Sequence, residues 1–408
     1  MIRFARLSAV LFLLTASFPF LPSLRAQESP VVQVTSGVSY QYIGRLDVKK
    51  LNEVLTVETP KFFGVNVTYT PASNAVKMYR IQYNSVVPEL NNKPIVASGL
   101  LAIPETGGSS FPMVSYQHGT VYGKHEVPSY PEESAETELM LAQFAGQGYV
   151  VIGADYFGMG VSKEPEGYLV KASHQQATFD MLMASRAVLA QMKIGTSKLF
   201  LGGWSQGGFV TMAFLEKLES AGVPVDAAAT ASAPVDGYAT FSGVLDYPRP
   251  FDASWLTTIF MLTSFSFENY YNEPGLARAL INDQYYDVAR RLYERQHVDP
   301  KEVPTDLHAL IRPEYFNPQY FAASAFGRLS AQTQAYRWVI KSPVHNYYGE
   351  TDEAIAIGIG QLAMNYQRAM GSGNMQVEAI STEKTTHRGT YATSAPLWKA
   401  WFDSKLGK

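Results

Sequence analysis

The sequence predicts an α/β fold, built on a mostly parallel sheet with helices on both faces. From about residue 78 onward, apolar runs typical of buried strands alternate with segments whose apolar residues recur at helical spacing. A glycine-rich junction, GGWSQGG, links one such strand to the helix after it. An aromatic-rich segment at residues 241–330 interrupts the alternation, which predicts a helical insertion over the sheet.

The first half of the alternating region predicts strands and helices in regular order. MYRIQYNSV, KPIVASGLLAIP and FPMVSYQHGT predict three consecutive strands. An acidic start and two late glycines indicate a capped helix in PEESAETELMLAQFAGQGY, and YVVIGADYFG predicts a buried strand. We then expect a helix near 175–192, a strand at 198–203, a helix from 206 to about 220 and a strand near 226–231. Right-handed crossovers follow from this order.

The alternation resumes after the insertion. SPVHNYYGETD predicts a strand, EAIAIGIGQLAMNYQRAM a helix, NMQVEAIS a strand and SAPLWKAWFDSKL a final helix. The 90 residues from 241 to 330 contain 17 aromatic side chains and several prolines, and they predict several helices joined by loops. We therefore expect a core formed by residues 78–240 and 331–408, with residues 241–330 as a cap.

The first 26 residues have the layout of a secretory signal peptide. Two arginines precede an uncharged run at residues 7–24, and Ala26 offers a small residue for cleavage. The alternative is an uncleaved membrane anchor, but the run is short for a span and contains two prolines. We expect an exported protein, in the periplasm or the medium. Residues 27–77 mix short alternating runs with turn residues and predict an irregular β-rich lead-in.

Composition limits the classes of partner. The chain has no cysteine, which excludes disulfides, thiolate metal sites and lipid attachment through cysteine. Removal of residues 1–26 would change the formal net charge from −3 to −6, because this segment carries three arginines and no acidic residue. A mildly acidic surface does not attract nucleic acids or anionic membranes. We expect no nucleic-acid partner and no stable membrane insertion after signal removal, and the oligomeric state stays open.

Ser205 lies in a G-x-S-x-G motif between a predicted strand and a predicted helix. The motif alone is weak, but this setting is the one that a nucleophile elbow requires. Gly203 and Gly207 leave room for a strained serine backbone and for the neighbouring strand and helix. The N-terminus of the helix adds positive potential where an oxyanion would form. The alternative is a tight structural turn.

A serine nucleophile needs a base to take its proton and a third group to orient that base. On this kind of sheet the acid and then the histidine follow the serine along the chain. Of the seven histidines, His387 alone lies beyond the strand that leads into GETD, so it is the predicted base. Asp352 is the predicted acid, with Glu350 and Glu353 as rivals. The alternatives are an exposed loop histidine and a solvated acidic loop.

The oxyanion of the reaction also needs two backbone donors. One predicted donor is the N–H of Gln206, directly after the nucleophile. The other is expected from the loop in YQHGT, with Thr120 as the first candidate and Gly119 as the second. His118 precedes Ser205 and is expected to shape this loop. The loop at residues 155–160, DYFGMG, is expected either to line the mouth of the site or to form an ordinary glycine turn.

With YQHGT, GADYFGMG, GWSQGG and GETD in this order, the chain resembles the α/β-hydrolase superfamily. Within it, the chain looks like the secretory lipase family of exported esterases and lipases. The resemblance covers about residue 78 to the C-terminus. It implies an eight-stranded core sheet, a helical cap between the sixth and seventh strands, and Ser205, Asp352 and His387 as the catalytic triad. Fungal members of the family carry disulfides and have a run of glycines in the oxyanion loop, whereas this chain has no cysteine and has His-Gly-Thr there. These differences argue against long-chain lipase activity more than against ester hydrolysis.

The predicted reaction is hydrolysis of a small-molecule carboxylic ester through an acyl-enzyme on Ser205. This chemistry needs no cofactor and no metal, and His118 and His125 have no evident third ligand for zinc. Two other readings stay open. A serine peptidase or amidase would use the same triad on an amide bond. A non-catalytic binding protein of the same fold would use the cap as a partner surface.

Overall fold

A ten-stranded β-sheet forms the centre of the protein in the residues that the structure describes. The structure, a computed structural model, describes residues 29–371 and 376–407, so the predicted signal peptide lies outside the described residues. The strands are β1 (Val31–Thr35), β2 (Val38–Leu46), β3 (Val76–Val87), β4 (Lys93–Pro104), β5 (Ser110–Gln117), β6 (Val150–Ala154), β7 (Gly195–Trp204), β8 (Ala227–Ala231), β9 (Val344–Tyr348) and β10 (Val377–Ser381).

The strands lie in the order β1-β2-β3-β4-β6-β5-β7-β8-β9-β10. All neighbours from β6 to β10 in this order pair in parallel, whereas the pairs from β1 to β4 and the β4–β6 pair are antiparallel. The mostly parallel sheet predicted from the sequence is therefore confirmed. The sheet has ten strands rather than the eight expected for its core, because β1 and β2 from the lead-in extend it beyond β3.

Helices occupy the connections between these strands. Outside the long β8–β9 connection they are α1 (Val48–Glu53), α2 (Thr59–Phe63), α3 (Ala135–Gln143), α4 (Lys171–Gln191), α5 (Gln206–Ser220), α13 (Ile357–Gly360), α14 (Leu362–Ala369) and α15 (His387–Lys405). Between β8 and β9 lie α6 (Gly237–Asp246), α7 (Leu256–Tyr270), α8 (Leu276–Leu280), α9 (Asp283–Tyr293), α10 (Leu307–Leu310), α11 (Pro318–Ala323) and α12 (Ala325–Ser330).

Short turns of other helix types complete the secondary structure. A π-helical turn covers Val54–Glu58, and 3₁₀ turns cover Pro88–Leu90, Pro131–Glu133, Ala145–Gln147, Pro300–Glu302 and Pro313–Phe316. In the part of the chain that the structure describes, no helix is both long and apolar enough to cross a membrane.

The period-2 alternation of the central strands divides the core between the two faces of the sheet. In β7, Leu199 and Leu201 face the cluster that contains α4 and α5. Phe200 between them faces the cluster that contains α3 and α15. Both sets of side chains are almost fully buried, which explains why the parallel strands have continuous apolar sequences rather than alternating ones.

Three element boundaries differ from the prediction. The last helix begins at His387 rather than near residue 394, because the Thr386 side chain accepts a hydrogen bond from the Gly389 N–H and caps the helix there. The helix predicted after β9 is divided into α13 and α14. The helices that follow β8 begin at Gly237, where the Asp236 side chain accepts from the Ala239 N–H, slightly before the predicted start at residue 241.

Hydrogen bonds and an ion pair join the helices of the β8–β9 connection to the loop before α4. The hydroxyls of Tyr270 and Tyr293 donate to the carbonyl oxygens of Pro165 and Glu166, at 2.8 and 2.7 Å. A buried ion pair joins Arg295, just after α9, to the carboxylate of Glu166. These contacts hold α7 and α9 in fixed positions over the carboxyl ends of the strands.

Replacement of Phe214 tests the core under α5. Phe214 is fully buried, so Phe214→Ala removes a large side chain and leaves a cavity. We expect the free energy of unfolding to fall by about 3–5 kcal/mol, measured by urea denaturation.

Met183→Ala on α4 is the matched control, because 46% of the surface of Met183 is exposed. We expect this change to stay within about 0.5 kcal/mol of the parent. Equal effects of the two substitutions would contradict the described packing.

Candidate active site

Ser205 lies at the junction between β7 and α5, where the backbone adopts a strained conformation. Its φ is 55° and its ψ is −123°, a region that residues with side chains seldom occupy. The Ser205 N–H donates to the carbonyl oxygen of Ala231 on the neighbouring strand at 2.9 Å. Its own carbonyl oxygen accepts from the Gly208 N–H at 2.9 Å, which begins the helix. The side chain is thereby held at the carboxyl end of the sheet.

The glycines around Ser205 are required by close contacts between backbone segments. A Cβ atom on Gly203 would lie 2.3 Å from the carbonyl oxygen of Gly207. A Cβ atom on Gly207 would lie 2.0 Å from the carbonyl oxygen of Gln117 at the end of β5. Neither position has room for a side chain, so the G-x-S-x-G spacing follows from the geometry of this junction.

The structure brings together the three residues predicted as a triad. The Ser205 hydroxyl lies 2.9 Å from His387 Nε2. His387 Nδ1 lies 3.1 Å from each carboxylate oxygen of Asp352. His387 and Asp352 are buried, with 4% and 1% of their surface exposed. This continuous hydrogen-bonded chain can move a proton away from the serine hydroxyl.

Asp352 is held in its orientation by the loop that follows it. Its Oδ1 atom accepts hydrogen bonds from the N–H groups of Ala354 at 2.8 Å and Ile355 at 2.9 Å. Burial raises the pKa of the carboxyl group, but the charge and hydrogen bond of His387 outweigh burial, and the pKa lies below its usual value. Asp352 is therefore ionised at neutral pH and can stabilise a protonated imidazole.

The two rival carboxylates have other partners. Glu350 is exposed and accepts a hydrogen bond from the Ser381 hydroxyl at 2.9 Å. Glu353 accepts from the backbone N–H of His387 at 2.8 Å, at the first residue of α15. Glu353 thus positions the backbone of His387, while Asp352 is hydrogen-bonded to its imidazole.

Two tryptophans surround the imidazole of His387. The indole N–H of Trp204, next to the serine, donates to the carbonyl oxygen of His387 at 3.2 Å. The centroid of the Trp204 ring lies 5.2 Å from that of the imidazole, and the Trp255 ring lies 5.6 Å from it. These contacts restrict the imidazole to the orientation that faces Ser205.

The candidate backbone donors for an oxyanion lie on two segments. Gln206 is the first residue of α5, so its N–H has no acceptor within the helix. The Gly119 N–H donates to both carboxylate oxygens of Glu136, at 3.1 and 3.2 Å, and is therefore already engaged. Among the described residues, no group accepts from the N–H of Thr120 or Gln206. The geometry thus favours Thr120 over Gly119 as the second candidate donor.

His118 lies beneath this loop and not in the proton chain. Its ring stacks on Tyr156 with centroids 4.1 Å apart, and its Nδ1 atom lies 2.8 Å from the Gly119 carbonyl oxygen. Burial lowers the pKa of His118 to about 4, so the ring is neutral at pH 7. The Tyr156 hydroxyl donates to the His118 carbonyl oxygen at 3.1 Å. The loop at residues 155–160 therefore packs against the loop at residues 118–120 and does not line the cavity at Ser205.

Glu136 is a site residue that sequence reasoning missed. It lies in the first turn of α3, is almost fully buried, and accepts the Tyr116 hydroxyl at 2.6 Å in addition to the Gly119 N–H. Burial raises the pKa of its carboxyl group to about 7, even though these hydrogen bonds act in the opposite direction. The acidic start of this helix resembled ordinary N-terminal capping, and nothing in the sequence separates Glu136 from its acidic neighbours.

A small, mainly apolar cavity opens next to the serine. Its volume is about 40 Å³, and Ser205, Gln206 and His387 are among the residues that line it. The remaining wall is mostly apolar and includes Leu169, Phe241, Trp255, Leu256, Ile259 and Ile355. Several of these residues belong to the β8–β9 connection, so the segment predicted as a cap contributes directly to the site.

Comparison with known proteins identifies the fold. No family model matches the chain, and no curated protein matches it. A protein from Legionella pneumophila, assigned provisionally as a hydrolase, superposes with a TM-score of 0.77 at 21% identity, over 92% of this chain and 98% of the other. The rice cell wall degrading esterase LipA from Xanthomonas oryzae gives 0.75 at 20% identity, over 94% and 99%.

A third similar structure is more distant. Candida antarctica lipase A in its closed state gives a TM-score of 0.61 at 16% identity, over 90% of this chain and 81% of the lipase. At these identities the likeness concerns the fold alone. The chain has the α/β-hydrolase fold, with β3–β10 as its eight core strands.

The pH dependence of stability tests the buried state of Glu136. Its pKa rises from an ordinary value of 4.5 to about 7 on folding, so the folded protein retains a proton that the unfolded chain releases between these values. The free energy of unfolding should therefore contain a contribution that is lost as pH rises from about 4.5 to 7. We expect Glu136→Gln to remove this contribution, measured by urea denaturation of both proteins at several pH values.

Glu132→Gln is the matched control, because Glu132 is exposed in the turn before α3. The control should follow the pH profile of the parent. If the parent and Glu136→Gln had parallel profiles, the assignment of a raised pKa to Glu136 would be wrong.

Proposed function

We propose that the protein is a serine hydrolase that cleaves carboxylic esters through an acyl-enzyme on Ser205. The observation that carries this proposal is the hydrogen-bonded chain from Ser205 through His387 to Asp352, which ends at a cavity. The strained backbone at Ser205 supports the proposal, because such strain is typical of functional sites. The similar structures include a named esterase and a named lipase, which supports an ester as the substrate.

The first step forms the acyl-enzyme. The Ser205 Oγ atom attacks the ester carbonyl carbon while His387 Nε2 takes the hydroxyl proton. The ionised carboxylate of Asp352 stabilises the imidazolium that results. The N–H groups of Gln206 and Thr120 are the donors for the oxyanion, and the N-terminus of α5 adds positive potential at the same place.

The tetrahedral intermediate then collapses, and His387 gives its proton to the oxygen of the leaving alcohol. The bond from the carbonyl carbon to that oxygen breaks, which leaves the acyl group on Ser205. A water molecule then attacks the acyl-enzyme while His387 accepts one of its protons. Collapse of the second intermediate releases the acid and returns the proton to Ser205. Nucleophilic attack by Ser205 and proton transfer by His387 together complete the cycle.

We also propose the domain division and the location expected from the sequence. Residues 78–240 and 331–408 form the catalytic core, and residues 241–330 form a cap that supplies apolar side chains to the cavity. The signal-like segment at residues 1–26 supports export to the periplasm or the medium.

Substitution of the serine tests the proposal directly. Ser205→Ala should lower the turnover of p-nitrophenyl acetate by at least about 10⁴-fold, because the nucleophile is lost while the fold is kept. Asp352→Asn should lower it by about 10³–10⁴-fold, since the imidazole would lose its orienting carboxylate. Initial rates measure both effects, and far-ultraviolet circular dichroism checks the fold.

Glu350→Gln provides the matched control for the acid, because Glu350 is exposed and bonded to Ser381. It should keep turnover within about twofold of the parent. Parent-like rates in Ser205→Ala would overturn the proposed function, and a large loss in Glu350→Gln with none in Asp352→Asn would transfer the role of the acid to Glu350.

A further inference from the structure

We propose that Tyr168 is a positioning residue for the reaction: its hydroxyl holds the side chain of Thr120 and so keeps the Thr120 N–H directed at the oxyanion. This inference rests on the proposed function, because it assigns a further residue to the oxyanion site of that serine hydrolase. Tyr168 lies in the loop before α4, 48 residues from Thr120 along the chain. It is buried and lines the cavity at Ser205.

A hydrogen bond joins Tyr168 to the loop after β5. The hydroxyl oxygens of Tyr168 and Thr120 lie 2.7 Å apart, the usual distance for a bond between two hydroxyl groups. Only 2% of the surface of Tyr168 is exposed, and burial raises the pKa of its hydroxyl above the ordinary value. The hydroxyl therefore keeps its proton at neutral pH and brings no negative charge next to the oxyanion.

The residues on both sides of Thr120 are held by other groups. Before it, the carboxylate of Glu136 accepts a hydrogen bond from the Gly119 N–H. After it, the carboxylate of Glu126 accepts from the Tyr122 N–H at 3.0 Å. The backbone is therefore anchored one residue before Thr120 and two residues after it.

Thr120 itself makes one hydrogen bond to the described residues, the side-chain bond to Tyr168. Threonine is branched at Cβ, so a fixed Oγ1 atom fixes the torsion about the Cα–Cβ bond and restricts the backbone that carries the N–H. Loss of the bond would let residue 120 rotate between its anchored neighbours. Misplacement of a catalytic group by about 1 Å can lower a rate by about 10²-fold.

Helix α7 holds the backbone of Tyr168 in place. The Ser266 hydroxyl on α7 donates to the Tyr168 carbonyl oxygen at 2.9 Å, and both residues are buried. The preceding residues, Pro165 and Glu166, accept the contacts from Tyr270, Tyr293 and Arg295. Tyr168 therefore connects α7 to the loop at residues 118–120, and through it the β8–β9 connection contributes to the rate as well as to the cavity wall.

Tyr168→Phe tests this role, because it removes the hydroxyl and leaves the ring in the cavity wall. Both tetrahedral intermediates of the proposed cycle carry an oxyanion, so the loss should appear in kcat whichever step limits the rate. We expect kcat for p-nitrophenyl acetate to fall by at least about fivefold, and at most by the 10²–10³-fold or so that loss of a whole donor costs. KM should stay within about threefold of the parent. Initial rates over a range of ester concentrations measure both constants.

Tyr83→Phe is the matched control. Tyr83 is also a buried tyrosine, and its hydroxyl donates to the carbonyl oxygen of Ala177 at 2.9 Å. It is not among the residues that line the cavity at Ser205. The control loses a buried tyrosine hydroxyl without touching the site, so its kcat should stay within about twofold of the parent. Far-ultraviolet circular dichroism checks that both variants are folded.

A double-mutant cycle shows whether Tyr168 acts through Thr120. Thr120→Val removes the partner hydroxyl but keeps the branched side chain and the backbone N–H. If the two hydroxyls act as a unit, the double variant should lose no more than about twofold in kcat beyond the larger single effect. A greater loss would show that Tyr168 acts independently of Thr120 and would overturn the proposal. If Tyr168→Phe does not fold, Thr120→Val alone is judged by the same kcat and KM criteria.

The activity of the parent separates this inference from the proposed function. If the parent cleaves the ester, the positioning role is overturned by a kcat loss below about fivefold, a KM change above about threefold or an equal kcat loss in Tyr83→Phe. The proposed function then remains intact. If the parent does not cleave the ester, the proposed function fails, and the role of Tyr168, which requires an oxyanion, fails with it.

Discussion

The whole site depends on the close approach of two backbone segments where β5 and β7 end. Gly207 lies so near the end of β5 that a Cβ atom would overlap the carbonyl oxygen of Gln117 at 2.0 Å. This approach brings the loop with Thr120 next to the first turn of α5, directly after Ser205, which has a φ of 55°. Strain of this kind costs about 1–3 kcal/mol, and the cores on the two faces of the sheet offset it.

Buried polar groups hold the loop that contains the candidate oxyanion donor Thr120 in place at the end of β5. Glu136 fixes the Gly119 N–H, and Tyr156 fixes the carbonyl oxygen of His118. Each group satisfies a backbone atom that would otherwise be buried without a partner. The N–H of Thr120 has no acceptor in the part of the chain that the structure describes, while the two residues before it are held. The negative charge of Glu136 is costly at this depth, which explains why its pKa rises toward neutrality.

The sequence predicted the fold well because strand and helix periodicities are local properties. Ser205 was also predictable from local sequence, because the glycine spacing around it reflects a contact between Gly203 and Gly207, which are close in the sequence. Asp352 and His387 were predicted from their order along the chain after Ser205. The start of α15 at His387 was not predicted, because the N-terminal cap formed by Thr386 depends on a single side-chain hydrogen bond. The role of Glu136 depends on its contacts with Tyr116 and Gly119, which only folding brings next to it, so no local pattern indicates it.

The most direct test of the central claim is to label the purified protein with a fluorophosphonate probe and locate the adduct by mass spectrometry. Such probes react with a serine only when a base removes its proton and donors stabilise the charged intermediate. The account predicts a single adduct on Ser205, abolished by His387→Ala in a folded protein. A folded parent that gives no adduct, or an adduct on another serine, would contradict the account and leave the junction at Ser205 as a structural turn.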